Sequence, residues 1–328
     1  MIITRAPFRI PLGGGGTDLP SYYKKFGGKL ISVAIDKYIV TTVNRPVTDS
    51  LIRLKYSKSE TVKTASQIKH PLIREALNLT GIKNGIEISF IADIPAGTGM
   101  GSSGTFLVSM LKGVHTFRKD EIKIKDIAEQ ACDIEINRLK SPVGKQDQYL
   151  AAFGGITQLT INKKGFVTVE QPIIPNAIIE DLDNSLLLFF TGIKRSSSEV
   201  LTLQNNSTKS GDKKVIESLH VIKEIGEEIT KSLKKGDINN FGKLMNTHWV
   251  YKQQLSEKIS NDKINRWYQK GISAGALGGK LIGAGGGGFL LFCCPGDKNN
   301  LRAAMTKEGL DEVFFHFDFE GVKLLANF

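Results

Sequence analysis

A chain of 328 residues with 41% hydrophobic and 23% charged residues has the balance of a soluble globular protein and enough length for two domains with large cores. Its net charge of +11 is spread along the chain, with acids beside the lysines as at Lys223-Glu224 and Glu227-Glu228; no basic run with interleaved aromatics occurs, which favours phosphorylated small molecules over nucleic acid. The three cysteines and five scattered histidines build neither a disulfide framework nor a zinc site, and neither a signal peptide nor an apolar span of about 18 residues is present, so a reduced cytoplasm and no membrane partner are expected.

In chain order, short strands are expected at 2–5 and 9–12, on either side of Pro7. Gly13-Gly14-Gly15-Gly16-Thr17-Asp18 follows. Four consecutive glycines permit close approach of a ligand, and Asp18 is the first acid beside them. The β-branched, alternating runs 29–35, 38–44 and 51–56 predict antiparallel strands, and 71–79 a short helix.

A strand over 86–92 then runs into Pro95-Ala96-Gly97-Thr98-Gly99-Met100-Gly101-Ser102-Ser103-Gly104, with helical sequence from Thr105 onward. Closely spaced glycines bring bare N–H groups against a bulky anion, and the helix behind them points its positive end at it. Gly97, Gly99, Gly101, Ser102 and Ser103 are thus candidates to hold phosphates, the serines either capping the helix or lending a hydroxyl to a metal-bound phosphate. No lysine lies between Pro95 and Thr105, which excludes a Walker A loop. The region 119–138 shows no second strand ending in an acid, which argues against a dinucleotide fold.

A helix is expected from 122 to about 139, with Glu135 near its end. Ser141-Pro142-Val143-Gly144-Lys145-Gln146-Asp147-Gln148-Tyr149 breaks it just before a strand at 156–161. A polar segment wedged between a helix and a core strand is a good place for a catalytic carboxylate. Lys163-Lys164-Gly165 reads as a hairpin turn, and a domain linker is expected over 171–175.

The second half opens on an apolar strand, 186–190, running into Thr191-Gly192-Ile193-Lys194-Arg195. Helices are expected at 214–234, 238–255, 261–272 and 301–308, an alternating strand at 313–317, and a mobile loop at 205–212. A third glycine run, Gly283 to Gly288, precedes an apolar stretch. The mix predicts an α+β protein.

With three glycine loops placed, the chain resembles the superfamily of galactokinase, homoserine kinase, mevalonate kinase and phosphomevalonate kinase, the GHMP kinases. Ala6, Pro7, Arg9, Leu12, Gly14, Thr17 and Asp18 resemble the galactokinase signature, Pro95 to Ser103 the family's phosphate loop, and Gly283 to Gly288 its third motif. Within the superfamily, Gly-Gly-Gly-Gly-Thr-Asp, Gly-Met-Gly-Ser-Ser-Gly-Thr-Phe and Lys-Gln-Asp-Gln-Tyr are most similar to kinases of D-glycero-D-manno-heptose 7-phosphate, with fucokinase domains similar too. Gly15-Gly16 stand where galactokinases carry Glu-His, which argues against galactose.

The resemblance implies two α+β domains, over 1–172 and 173–328, with the active site between them and a left-handed β-α-β crossover in the first. It implies ATP as co-substrate, Mg²⁺, a sugar phosphate as the other small-molecule partner, and leaves a homodimer open. By position, Asp147 matches the general base and Arg9 a cation near the reacting hydroxyl and the γ-phosphate. Glu135, 12 positions before Asp147, matches the glutamate that holds Mg²⁺ together with the serine at Ser103. Asp18 matches an aspartate that binds sugar hydroxyls, beside Gly14, Gly15 and Thr17. Of two basic pairs near site loops, Lys24-Lys25 and Lys194-Arg195, the second is favoured for the distal phosphate of a heptose 7-phosphate. A fucose-type sugar 1-kinase and a silent ATP- and sugar-binding homologue are the alternatives.

Overall fold

The computed structural model describes residues 1–193 and 197–328, and of Ser197 the backbone alone. The first part of the chain forms β1 (Ile2–Gly13), α1 (Pro20–Phe26), β2 (Gly28–Asn44), β3 (Ile52–Lys55), β4 (Ser59–Val62), α2 (Pro71–Thr80) and β5 (Ile86–Ala92). It continues with α3 (Ser102–Arg118), α4 (Ile124–Cys132), α5 (Gln146–Phe153), β6 (Ile156–Ile161) and β7 (Val167–Glu170). Then follow α6 (Asn176–Ser185), β8 (Leu186–Phe190), α7 (Ser197–Ser210), α8 (Lys213–Lys235), α9 (Ile238–Gln253) and α10 (Asp262–Ser273). The chain closes with β9 (Gly278–Leu281), β10 (Phe289–Cys293), α11 (Asn299–Lys307), β11 (Asp311–Glu312) and β12 (Lys323–Asn327).

Two sheets result. The larger runs β12-β1-β2-β5-β3-β4, with β6 and β7 continuing from the far part of β2; β3 and β5 are its parallel pair. The smaller, of four strands, runs β11-β8-β10-β9. β12 returns to pair with Ile2 to Arg5 of β1, so the end of the chain completes the first sheet.

The strands expected at 2–5 and 9–12 are one strand, and those at 29–35 and 38–44 are another. Pro7 is absorbed because the ladder shifts register between Pro7 and Phe8. There the partner on β2 steps from Tyr38 to Ile35, past Asp36 and Lys37, and the bulge re-aims the side chains that follow. Accordingly Ile2 and Ala6 join Val43, Leu107 and Leu111 in the core under α3, whereas Phe8, Ile10 and Leu12 join Ile225, Ile229 and Phe241 under α8 and α9. Arg9, opposite in phase to Phe8, is thereby aimed at the α3 and α5 side. A third core, around Trp249, Trp267, Tyr268 and Phe292, fills the C-terminal layer.

Three expectations are corrected. Residues 205–212, expected as a mobile loop, mostly continue α7, with Gln204, Asn205 and Thr208 buried on its inner face. The alternating run 313–317 is extended but forms no strand, because it crosses from one sheet to the other. Val313 N–H donates to Leu188 at 2.8 Å, while His316 and Asp318 exchange bonds with Asp36 and Ala34 of β2. The helix expected over 122–139 is α only to Cys132, and Asp133–Arg138 is a π-helical turn. Such wide turns re-aim side chains and recur at functional sites; this one carries Glu135 into the interior.

Candidate active site

One cavity is lined by parts of all three glycine loops together with Arg9, Asp18 and Asp147. Asp147 lies in the first turn of α5, a helix absent from the sequence reading, and the helix N-terminus favours its negative charge. The Arg9 guanidinium grips one oxygen of that carboxylate: Nε and Nη2 reach Oδ1 at 2.8 and 2.6 Å. Its Nη1 donates to the Gly99 carbonyl at 3.1 Å, tying the pair to the phosphate loop. Oδ2 of Asp147 accepts no bond from the described residues. Arg9 is buried, while Asp147 retains 24% side-chain exposure, so the open oxygen is reachable from the cavity.

In the first loop, Asp18 is buried and both its oxygens accept backbone N–H groups, from Gly16 at 3.1 Å and Gln146 at 3.0 Å. These bonds pin the loop to the start of α5 and so to Asp147. Burial pushes the Asp18 carboxyl above its ordinary range despite these bonds, and the nearby Asp147 adds to the rise. Gly15 and Gly16 line the cavity. Gly14 is packed against the Lys29 carbonyl, and the Thr17 hydroxyl donates to Gly14 O at 2.7 Å, fully buried. Thr17 and Gly14 therefore shape the loop from beneath.

In the second loop Gly97, Gly99 and Gly101 all have φ between 81° and 85°, a left-handed backbone that glycine adopts without strain. The serines do not cap α3: the cap position is Gly101, without a side-chain bond. Gly101 already makes the left-handed turn, which leaves both hydroxyls for other work. The Ser103 hydroxyl donates to the Glu135 carboxylate, and Ser102 Oγ is buried with no partner among the described residues. The third loop braces the second from behind, where a Cβ on Gly288 would fall 2.0 Å from the Thr98 carbonyl.

Glu135 is buried behind Ser103 and also accepts from the Gln148 amide. Burial drives its carboxyl up to about 7, the bonds from Ser103 and Gln148 opposing that rise. No cluster of three or more His, Cys, Asp or Glu side chains able to hold a metal occurs among the described residues. The Ser103–Glu135 pair nevertheless suits a hard cation that takes most of its oxygens from phosphates and water.

Lys194 and Arg195, assigned to the distal phosphate from sequence, lie outside the described residues. Lys24 and Lys25 are exposed on α1 and line no part of this cavity. The structure adds a wall that sequence reasoning missed: Gln204 from α7, His248 and Lys252 from α9, and Lys280 from β9. A signal existed. Lys252 falls three residues after Trp249 and seven after Met245, on the buried stripe of α9. No helix among the described residues is long and apolar enough to cross a membrane.

Family models for the N-terminal and C-terminal domains of GHMP kinases match residues 60–155 and 229–311. The chain is 31% identical to D-glycero-alpha-D-manno-heptose 7-phosphate kinase of Campylobacter jejuni over 98% of both proteins. It is 25% identical to the bifunctional fucokinase/GDP-fucose pyrophosphorylase of Arabidopsis thaliana, over 96% of this chain and 31% of that longer protein. Among solved structures, a D-glycero-D-manno-heptose 1-phosphate kinase from Bacteroides thetaiotaomicron superposes with a TM-score of 0.81 at 24% identity over the whole of both chains. Mevalonate kinase of Methanococcus jannaschii superposes with a TM-score of 0.74 at 21% identity, over 96% of this chain and 98% of that one. At those identities the structures speak for the two-domain fold alone. The full-length match and the paired domain models show that the chain belongs to the GHMP kinase family and is an ATP-dependent phosphotransferase.

Proposed function

We propose that the protein transfers the γ-phosphoryl group of ATP to the anomeric hydroxyl of D-glycero-D-manno-heptose 7-phosphate, giving the 1,7-bisphosphate. The observation that carries this reading is the Asp147 carboxylate, held through Oδ1 by Arg9 and open at Oδ2 between the sugar loop and the phosphate loop. The full-length likeness to a heptose 7-phosphate kinase supports the choice of sugar. We divide the chain at about residue 172, with β12 returning to the first unit, and place the enzyme in the cytoplasm.

In this mechanism the sugar hydroxyl loses its proton to Asp147 Oδ2 as its oxygen bonds to the γ-phosphorus. The bond from that phosphorus to the β,γ-bridging oxygen breaks, and its electron pair leaves with ADP. Arg9 orients Asp147 and faces the charge that develops on the transferring group. N–H groups of the Gly97 to Ser103 loop and the Ser102 hydroxyl hold the nucleotide phosphates, while Asp18, Gly15 and their loop position the sugar. Ser103 and Glu135 would hold Mg²⁺, which when bound neutralises phosphate charge. Catalysis is then mostly positioning and electrostatics.

Incubation with Mg-ATP and paired sugars, each with and without its distal phosphate, tests the substrate. ADP release is expected to be fastest with the heptose 7-phosphate. Faster turnover of a plain sugar such as fucose would contradict the assignment.

Glu135→Gln provides a second test. Loss of the carboxylate should raise the Mg²⁺ concentration needed for half-maximal rate. In the wild type, Mg²⁺ needs Glu135 ionised, so apparent Mg²⁺ affinity should rise with pH up to about 7. Stability should move the other way. With its folded value raised from the ordinary 4.5 to about 7, Glu135 takes up a proton on folding between those values. Native stability from this group is therefore present below the window and lost as pH rises through it. Measured against the variant, wild type should therefore lose stability between pH 4.5 and 8, by on the order of 3 kcal/mol. An unshifted Mg²⁺ curve would make Glu135 a structural residue.

A further inference from the structure

Buried polar atoms normally have partners, so those without one mark where a ligand supplies it. Among the described residues, three that line the cavity carry such atoms: Ser102 at Oγ, Gln204 at Nε2, and His248 at both Nδ1 and Nε2. Ser102 belongs to the phosphate loop already assigned to ATP. Gln204 and His248 do not. They are 4% and 2% exposed and come from α7 and α9.

Beside them stands a cation with no acid partner. Lys280 is 1% exposed; its Nζ donates to the Leu12 carbonyl at 2.7 Å and makes no ion pair with any described residue. Both cavity carboxylates are already engaged, Asp147 by Arg9 and Asp18 by two backbone N–H groups. Five charged residues line the cavity, the cations Arg9, Lys252 and Lys280 against Asp18 and Asp147. A buried ammonium facing only carbonyls is costly, and a bound anion offsets that cost.

The wall sits on the sugar side. Leu12, which anchors Lys280, leads directly into the glycine loop that ends at Asp18. Gln204 presses on that loop, since a Cβ on Gly16 would fall 2.8 Å from its Nε2. ATP phosphates, by contrast, have their own donors at the Gly97 to Ser103 loop.

We infer that Gln204, His248 and Lys280 form a phosphate subsite that binds the phosphate already carried by the sugar substrate, Lys280 supplying the charge and the other two the hydrogen bonds. The inference rests on the sugar-phosphate reading above. In support, the two lysines and burial hold the His248 imidazole well below its ordinary range, burial foremost. Burial, with Lys252 and Arg9, likewise lowers Lys280. A phosphate dianion between them relieves both effects.

The test compares full-length wild type with Lys280→Met and Gln204→Leu. For each, kcat/KM is measured for the heptose 7-phosphate and for the same heptose without phosphate, with KM for ATP alongside. The ratio of the two kcat/KM values should fall at least tenfold in Lys280→Met and about fivefold in Gln204→Leu. KM for the sugar phosphate should rise more than KM for ATP. Melting curves check folding; if Lys280→Met proves unfolded, Gln204→Leu and His248→Phe carry the test. A phosphate-selective wild type whose variants stay equally selective would overturn the subsite and leave the sugar-phosphate reading standing. So would a larger rise in KM for ATP, which would hand the wall to the nucleotide. A wild type indifferent to the distal phosphate would overturn both.

Discussion

Asp147→Asn should lower kcat by roughly 10²–10⁴-fold, the usual contribution of a general base, while ATP binds almost as before. The amide keeps the size of the carboxylate and leaves the phosphate loop its own bracing. Arg9 retains Gly99 O as a partner at 3.1 Å and still has an amide oxygen to meet. What is lost is the acceptor at Oδ2, the one carboxylate oxygen in the pair left open to the cavity. Single-turnover kinetics with a nucleotide-binding measurement separates these effects. A variant keeping more than about a tenth of wild-type kcat would remove Asp147 from the base role.

Gly101→Ala should be nearly as damaging, for a reason of geometry alone. Gly101 sits at φ +81°, and a Cβ there would lie 2.8 Å from Asp147 Cγ and 3.0 Å from its Oδ2. The methyl must displace either the carboxylate or the loop that carries Gly101. A misplacement of about 1 Å costs on the order of 10²-fold in rate, so kcat/KM should fall at least that far. The left-handed backbone adds roughly 1–2 kcal/mol of strain. Gly85→Ala is the control: at φ +68° with nothing within 4 Å of its Cβ, it carries the strain without the clash. Equal activity losses in the two variants would mean that backbone strain, and not Asp147, explains Gly101.

Much of the arrangement was legible before any coordinates. The elements with strong local signals, such as α2, α8, α10 and β6, lie within a residue or two of where periodicity puts them. The glycine loops were legible because few other sequences bring backbone N–H groups so close to an anion. What stayed hidden depended on tertiary context. Strands β1 and β2 run continuously through a register shift that Pro7 conceals, since a proline reads as a break until its place in the ladder is known. The π turn around Glu135 has no distinct period in so short a stretch. Helix α7 is mostly polar, so nothing in its composition separates it from a loop until Gln204 and Thr208 are seen turned inward. Lys280 looks like an ordinary charge of a basic protein, whereas His248 and Lys252 fall on the apolar stripe of α9 that Met245 and Trp249 mark.

In the proposed reaction a phosphorylated sugar receives a second phosphate on its anomeric oxygen. Phosphorus-31 NMR of the product formed from ATP and D-glycero-D-manno-heptose 7-phosphate tests it directly. Two sugar phosphorus signals of equal area are expected. One is unchanged from the substrate, and the other is new and coupled to the anomeric proton. A product whose new phosphorus couples to any other sugar proton, or ATP consumption without a second sugar phosphate, would overturn transfer to the anomeric oxygen.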